Sequence, residues 1–224
     1  LLPAKNEHSE LPFIGGALGY FSYDLGRRVE TLPTTSTRDI DAPDMAVGLY
    51  EWAIVVDQKL KTACVVGQNI EAHWDWLSQQ QETQPTVEEF SLTTPWQSNI
   101  SEQSYADKFD SVQEYLLSGD CYQINLAQRF NAKYQGSEWL AYKKLEQYNS
   151  APFSGFIRLA NSAIISVSPE RFLELKDNVI ETKPIKGTRP RSDDQVIDDT
   201  NAQDLASADK DQAENLMIVN LPVP

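Results

Sequence analysis

An α+β fold with mostly antiparallel sheet is the architecture this sequence predicts, and three observations carry that reading. Strand-like and helix-like segments follow one another irregularly, without the strand–helix–strand alternation that builds a parallel sheet. One stretch reads as a hairpin in full: Arg171-Phe-Leu-Glu-Leu, a turn at Asp177-Asn178, then Val179-Ile-Glu-Thr. Elsewhere apolar residues recur at helical spacing, most clearly at Tyr105, Phe109, Val112, Tyr115 and Leu116.

The elements follow in order. Residues 11–23 are apolar, aromatic and carry three glycines, which suits a buried strand that other backbone approaches closely. Asp24 is placed to cap a short helix through Arg28. Residues 46–56 and 61–66 read as two strands around the polar bend Asp57-Gln-Lys-Leu, and a helix with Trp74, Trp76 and Leu77 follows. Residues 79–98 turn to Gln, Thr, Glu and Pro, a linker composition. This sets expected domains of 1–98 and 99–224. Ser101 heads the next helix, which should stop near Gly119-Asp120. Residues 121–130 alternate, with Tyr122, Ile124 and Leu126 on one side and the amides of Gln123 and Asn125 on the other. That pattern fits a strand whose amide face meets either solvent or a cleft. Residues 139–148 read as a helix, 156–159 and 163–167 as adjacent strands, and 201–219 as one further helix with Leu205, Ala208, Gln212 and Leu216 near one face.

Composition narrows the function. A chain of 224 residues that is 41% hydrophobic, with five Trp, nine Tyr and eight Phe, can bury a sizeable core. Its formal charge of −14 argues against nucleic acid or an anionic membrane as partner. No apolar run reaches the length needed to span a bilayer. Cys64 and Cys121 are far apart, and only His8 and His73 are histidines, so a disulfide framework, a histidine zinc site and a Ser-His-Asp triad are all disfavoured. A reducing cytoplasm is the expected compartment. An anionic substrate would need a locally positive site on so acidic a chain.

The run 181–191, Glu-Thr-Lys-Pro-Ile-Lys-Gly-Thr-Arg-Pro-Arg, supplies one. Pro184 cannot donate to a ladder, and Gly187 permits backbone that a Cβ would forbid, so Lys186 should project from a short, fixed loop. Gly187 and Thr188 add N–H groups and a hydroxyl, and Arg189 and Arg191 add charge suited to an anion. Read alone, the run is as well explained as a solvated basic turn. Glu170 could likewise pair with Arg171, and Glu214 could be an exposed helical glutamate.

Four phrases together resemble the chorismate-utilising enzymes: residues 119–130, Ser168-Pro-Glu-Arg-Phe172, Pro184-Ile-Lys-Gly-Thr188 and Ala213-Glu-Asn-Leu-Met-Ile-Val219. The N-terminal Gly-Gly-Ala-Leu-Gly-Tyr-Phe-Ser-Tyr-Asp is similar too, so the resemblance spans nearly the whole chain. It implies that family's α+β fold, antiparallel sheets flanked by helices, incomplete here, because Asn220-Leu-Pro-Val-Pro224 departs from the family phrase. It implies chorismate as substrate, Lys186 as nucleophile, Glu170 as general acid, Gln123, Asn125, Gly187 and Thr188 as substrate-binding residues, and Glu214 as a Mg²⁺ ligand. Anthranilate-forming relatives carry a small residue at the Lys186 position and isochorismate-forming ones a lysine at the Gln123 position. Lys186 therefore points to amination at C4, with amination at C2 or a non-catalytic partner or regulatory domain as the alternatives. Such relatives usually take ammonia from a glutamine amidotransferase subunit. In some, the loop holding Pro152 and Phe153 lines a tryptophan pocket.

Overall fold

The computed structural model describes residues 11–35, 38–80 and 88–219. His8, the middle of the expected linker (81–87) and the departing phrase 220–224 lie outside them. The chain divides into two compact units, Leu1–Thr86 and Val87–Pro224.

The first unit holds two hairpin-like ladders and a helix. Strand β1 (Gly16–Phe21) pairs antiparallel with β2 (Met45–Tyr50), and β3 (Trp52–Asp57) with β4 (Thr62–Gly67). The single strand expected over 46–56 is thus two, parted at Glu51, whose carbonyl accepts from the Gln68 N–H instead. The β3–β4 bend closes on Asp57, whose carboxylate accepts from the N–H groups of Lys59 and Leu60, both at 2.8 Å. Gly19 lies so close to Val47 and the Ala46 carbonyl that a Cβ there would collide with backbone, which is the close approach the glycines implied. A short 3-10 helix, Tyr23–Arg28, begins after Ser22; Asp24 does not cap it but takes Arg27 at 2.7 Å. Helix α1 (Ile70–Ser78) lays His73 flat on Trp52, ring centroids 4.1 Å apart, with Trp76 edge-on to the same indole.

The second unit begins inside the expected linker, because β5 (Ser91–Leu92) and β6 (Gln97–Ser98) form short ladders with later strands. Helix α2 (Glu102–Ser118) starts as its sequence dictates: the Ser101 hydroxyl accepts from the Ser104 N–H at 3.1 Å. Gly119, at φ 81°, ends it in the left-handed conformation glycine permits. The strand expected over 121–130 does not form. Ladder pairing begins only at β7 (Phe130–Asn131), which joins β6, and β8 (Tyr134–Gln135), which joins β5. A strand needs a neighbour, and among the described residues 121–129 joins no ladder; at its end the Arg129 carbonyl accepts from the Asn99 N–H, at 2.9 Å.

Helix α3 (Glu138–Asn149) packs on the antiparallel pair β9 (Phe153–Arg158) and β10 (Ala163–Ser168). Its buried residues are Ala141 and Tyr142, and the rings of Trp139, Tyr142 and Phe156 meet at centroid distances of 5.2–5.7 Å. Strands β11 (Glu174–Lys176) and β12 (Val179–Glu181) form the expected hairpin, with Asp177 and Asn178 both at positive φ, 51° and 62°. The ladder stops at Glu181, before Pro184, and the Thr182 hydroxyl then donates to the Phe172 carbonyl at 3.0 Å. The last helix is two: α4 (Gln195–Ser207), capped by Asp194, and α5 (Asp209–Val219). Ala208 breaks them at ψ 108°, so the continuous face expected through Leu205 and Leu216 is interrupted.

The strands are antiparallel in every described pair, in agreement with the α+β expectation. Burial is sparse. Among the described residues the buried apolar side chains are Val66, Ala141 and Tyr142, while Phe172 is 84% and Leu175 70% exposed. β1 is not the buried strand its composition suggested, because two-stranded ladders cover little of either face.

One polar tie fixes α3 to its sheet. Glu138 accepts from Arg158 at 3.0 Å and from the Tyr134 hydroxyl at 2.6 Å. Arg158 first, then Tyr134, hold its carboxyl down at about 2. A carboxylate whose pKa falls on folding stabilises above its ordinary value of 4.5 and loses that contribution as pH drops towards 2. Solvent reaching the half-exposed Arg158 guanidinium screens the pair. Glu138→Gln should therefore cost roughly 1 kcal/mol at neutral pH. In denaturant titrations the gap between the two proteins should close between pH 4.5 and 2; a gap independent of pH would show that the tie contributes nothing.

Candidate functional site

Two loops of the second unit carry the expected chemistry. The first leaves β10 at Ser168. The Ser168 hydroxyl donates to the Glu170 carbonyl at 2.9 Å and accepts from the Glu170 N–H at 3.2 Å, which fixes a tight turn before the half-buried Glu170 side chain. Arg171 does not pair with Glu170. Its guanidinium reaches Glu174 of β11 at 2.6 Å and Glu181 of β12, so it staples the hairpin, and the Glu170 carboxylate has no hydrogen-bond or ionic partner among the described residues. Lys183 first, with Arg171 also contributing, holds the Glu181 carboxyl below the usual carboxylate range. Phe153 opens β9 opposite Ser168 and lies beneath the Arg171 guanidinium, 6.0 Å from ring centroid. Pro152 and Phe153 are both exposed, on the strand edge beside the Glu170 turn.

The second loop runs from β12 to α4 and carries Lys186. Gly187 sits at φ 71°, and a Cβ there would come within 2.5–2.8 Å of all three carboxylate atoms of Asp211 on α5. Asp211 and Glu214, three residues apart, share one face of α5, so the loop meets the face that bears Glu214. The neighbouring cations are all engaged. Lys183 pairs with Glu181 at 2.9 Å, Arg189 with Asp204 and with Asp211 at 3.2 Å, and Arg191 with both oxygens of Asp198 at 2.8 and 2.9 Å. Arg191 accordingly holds the Asp198 carboxyl below its ordinary value. This corrects the expectation that Arg189 and Arg191 offer positive charge to an anion: their fork-like donors are taken by aspartates. Lys186 is the exception. It is half-buried, and no carboxylate among the described residues pairs with its ammonium.

The remaining expected residues are less closely assembled. Thr188 is exposed, and its carbonyl accepts from Arg189 at 2.9 Å. Gln123 is half-buried and Asn125 exposed, in the stretch without ladder bonds, whereas Tyr122 and Ile124 are exposed. The amide row therefore does not stand opposite a covered apolar row. No hydrogen bond or ion pair joins Lys186, Glu170, Gln123, Asn125 and Glu214 to one another among the described residues. Three acidic, His or Cys side chains do not converge anywhere among those residues. Magnesium is commonly held by one or two carboxylates together with water and substrate oxygens, and a single Glu214 fits one place in such a set. Sequence reasoning missed Asp204 and Asp211, whose only signal was an acidic excess in the two terminal helices.

Fold and loops together define a class. The family model described as chorismate binding enzyme matches residues 2–223, and the chain belongs to that family. Within it, the chain is 54% identical to aminodeoxychorismate synthase component 1 of Salmonella typhimurium over 95% of this chain and 46% of that protein. It is 53% identical to the Escherichia coli protein of the same name, over 98% of this chain and 48% of the other. A crystal structure of anthranilate synthase component I from Streptococcus pneumoniae superposes with a TM-score of 0.81 at 26% identity, covering 97% of this chain and 51% of that one. The chain spans about half the length of the curated relatives it matches. No described helix is long and apolar enough to cross a membrane.

Gly187→Ala should strain the left-handed backbone and push against the Asp211 carboxylate. The expected cost is roughly 1–3 kcal/mol in urea denaturation. An unchanged midpoint would mean that the turn relaxes freely.

Proposed function

We propose that this chain contributes the nucleophilic half of an enzyme that aminates chorismate at C4 to give 4-amino-4-deoxychorismate, on the route to para-aminobenzoate and folate. One observation carries the reading: Lys186 alone among the cations of its loop lacks a paired carboxylate, on a backbone fixed by Gly187. A paired ammonium is a poor nucleophile, and a tethered, unpaired amine can be a good one. The identity to aminodeoxychorismate synthase component 1 gives the same direction.

In this mechanism the neutral Nζ of Lys186 forms a bond to C2 of chorismate. The ring double bonds shift, and the C4–O bond breaks, with Glu170 giving the departing hydroxyl its proton so that it leaves as water. Ammonia then bonds to C4, the double bonds shift back, and the C2–N bond to lysine breaks. The balance is chorismate plus ammonia to aminodeoxychorismate plus water. Glu170 suits the donor's role because its half-buried carboxyl is engaged by no other group among the described residues. Gln123, Asn125, Gly187 and Thr188 supply amide, N–H and hydroxyl donors for the substrate. Glu214 would hold a Mg²⁺ ion, which when bound would offset the substrate's carboxylate charge. A glutamine amidotransferase subunit supplies the ammonia, a reducing cytoplasm suits the free Cys64 and Cys121, and the exposed Pro152–Phe153 edge is where tryptophan would bind.

The test uses the full-length protein with chorismate, Mg²⁺ and ammonium chloride. Lys186→Ala should remove formation of 4-amino-4-deoxychorismate. Intact-mass spectrometry of the unsubstituted protein, given chorismate without ammonia, should show an adduct on the peptide holding Lys186. Undiminished turnover by the variant would refute the nucleophile assignment.

A further inference from the structure

We propose that Arg189 is a positioning residue for Lys186: a clasp that ties the Lys186–Gly187 turn to both terminal helices, rather than a cation that binds substrate. This deepens the reading above and rests on it.

The loop after β12 has no ladder bonds of its own, so side chains must hold it. Arg189 does most of this. Its Nε donates to Asp204 of α4, and its Nη1 donates to Asp211 of α5 at 3.2 Å and to the Thr188 carbonyl at 2.9 Å. One planar guanidinium thus spans the break at Ala208 and touches the backbone one residue from Gly187. Asp211, only 15% exposed, is pressed against Gly187 at the same time, where any Cβ would meet its carboxylate. The Asn201 amide donates to the Pro190 carbonyl at 2.9 Å, and Asp198 accepts from Arg191 and from the Ser192 N–H at 3.1 Å, so the loop beyond is secured to α4 as well. The turn carrying Lys186 is therefore registered to the helix carrying Glu214 through Arg189 and Asp211. A lysine that must meet one carbon atom of a bound ring gains from such registration, since small misplacements of a reacting group cost rate steeply.

A substrate-binding arginine and a positioning arginine part company in kinetics. In the full-length enzyme assayed with ammonium chloride, Arg189→Ala and Asp204→Asn should each lower kcat by about tenfold or more, with KM for chorismate changed less than about twofold. The double variant should be no worse than Arg189→Ala alone, because the contact that Asp204→Asn removes is already lost with the arginine. Asp204→Glu, which keeps the carboxylate, should restore most of the rate. Hydrogen exchange in the substrate-free protein should be faster at the amides of 185–189 in Arg189→Ala and in the milder Asp204→Asn. A rise in KM with kcat preserved in Arg189→Ala, or a silent Asp204→Asn with unchanged exchange, would overturn the clasp. The exchange readout needs no turnover. Faster exchange alongside a fully active Lys186→Ala enzyme would remove the nucleophile and leave the clasp standing.

Discussion

A polypeptide loop without ladder bonds has to be held by something, and in the second unit the hold is ionic. Residues 183–191 leave the β11–β12 hairpin, carry the half-buried Lys186, and are held to α4 and α5 by three arginine–aspartate contacts and one left-handed glycine. The hairpin itself depends on the same device, since Arg171 bridges Glu174 and Glu181 across its open end. Surface ion pairs contribute little individually. Their importance here is geometric: planar guanidinium groups with two or three acceptors fix the direction of backbone that no sheet constrains. That choice has a chemical consequence. Every arginine spent on an aspartate is withdrawn from other anions, and Lys186, which precedes them, is left as the loop's uncommitted cation.

The net charge of −14 takes on a more specific meaning in this setting. Much acid sits in α4 and α5, where Asp194 caps a helix and Asp198, Asp204 and Asp211 grip the loop. Asp198, Asp204 and Asp211 are structural, paired with the loop's own arginines. In the proposed mechanism a dianionic substrate approaching Lys186 would still meet negative charge, with Glu214 on the adjoining helix face. A divalent cation beside Glu214 is a physically economical answer to that repulsion.

What could be read from the sequence was what neighbouring residues decide among themselves. Ser101 and Gly119 fixed both ends of α2 because capping is local, and Asp177-Asn178 fixed the β11–β12 turn because few residues accept two successive positive φ angles. Lys186, Glu170 and Glu214 stood out through phrases, and their surroundings did not. Whether residues 121–129 form a strand depends on a partner distant in the chain, so alternation alone misled. The break at Ala208 left no mark either, because alanine is the best helix former. The paired arginines were misjudged for the same reason: a charge pattern states how many cations there are, and only packing states which ones are already neutralised.

Exposure completes the picture. Hairpin β11–β12 presents Leu175, Val179 and Ile180 at 65–70% exposure, and β2–β3 present Leu49, Ile54 and Val56 in the same way. An isolated two-stranded ladder is at best marginally stable in water, so apolar faces of this extent require covering by further chain. The functional residues show a matching deficit. On the proposed reading Lys186, Glu170 and Glu214 would be nucleophile, acid and metal-binding carboxylate, yet the described arginines of this loop and hairpin are internally paired. For the β11–β12 hairpin, which leads directly into the Lys186 loop, a surface covering its apolar face would also bring polar groups to that loop's rim. On that reading the loop is one side of a site, shaped by its own ion pairs, and a covering surface would complete it.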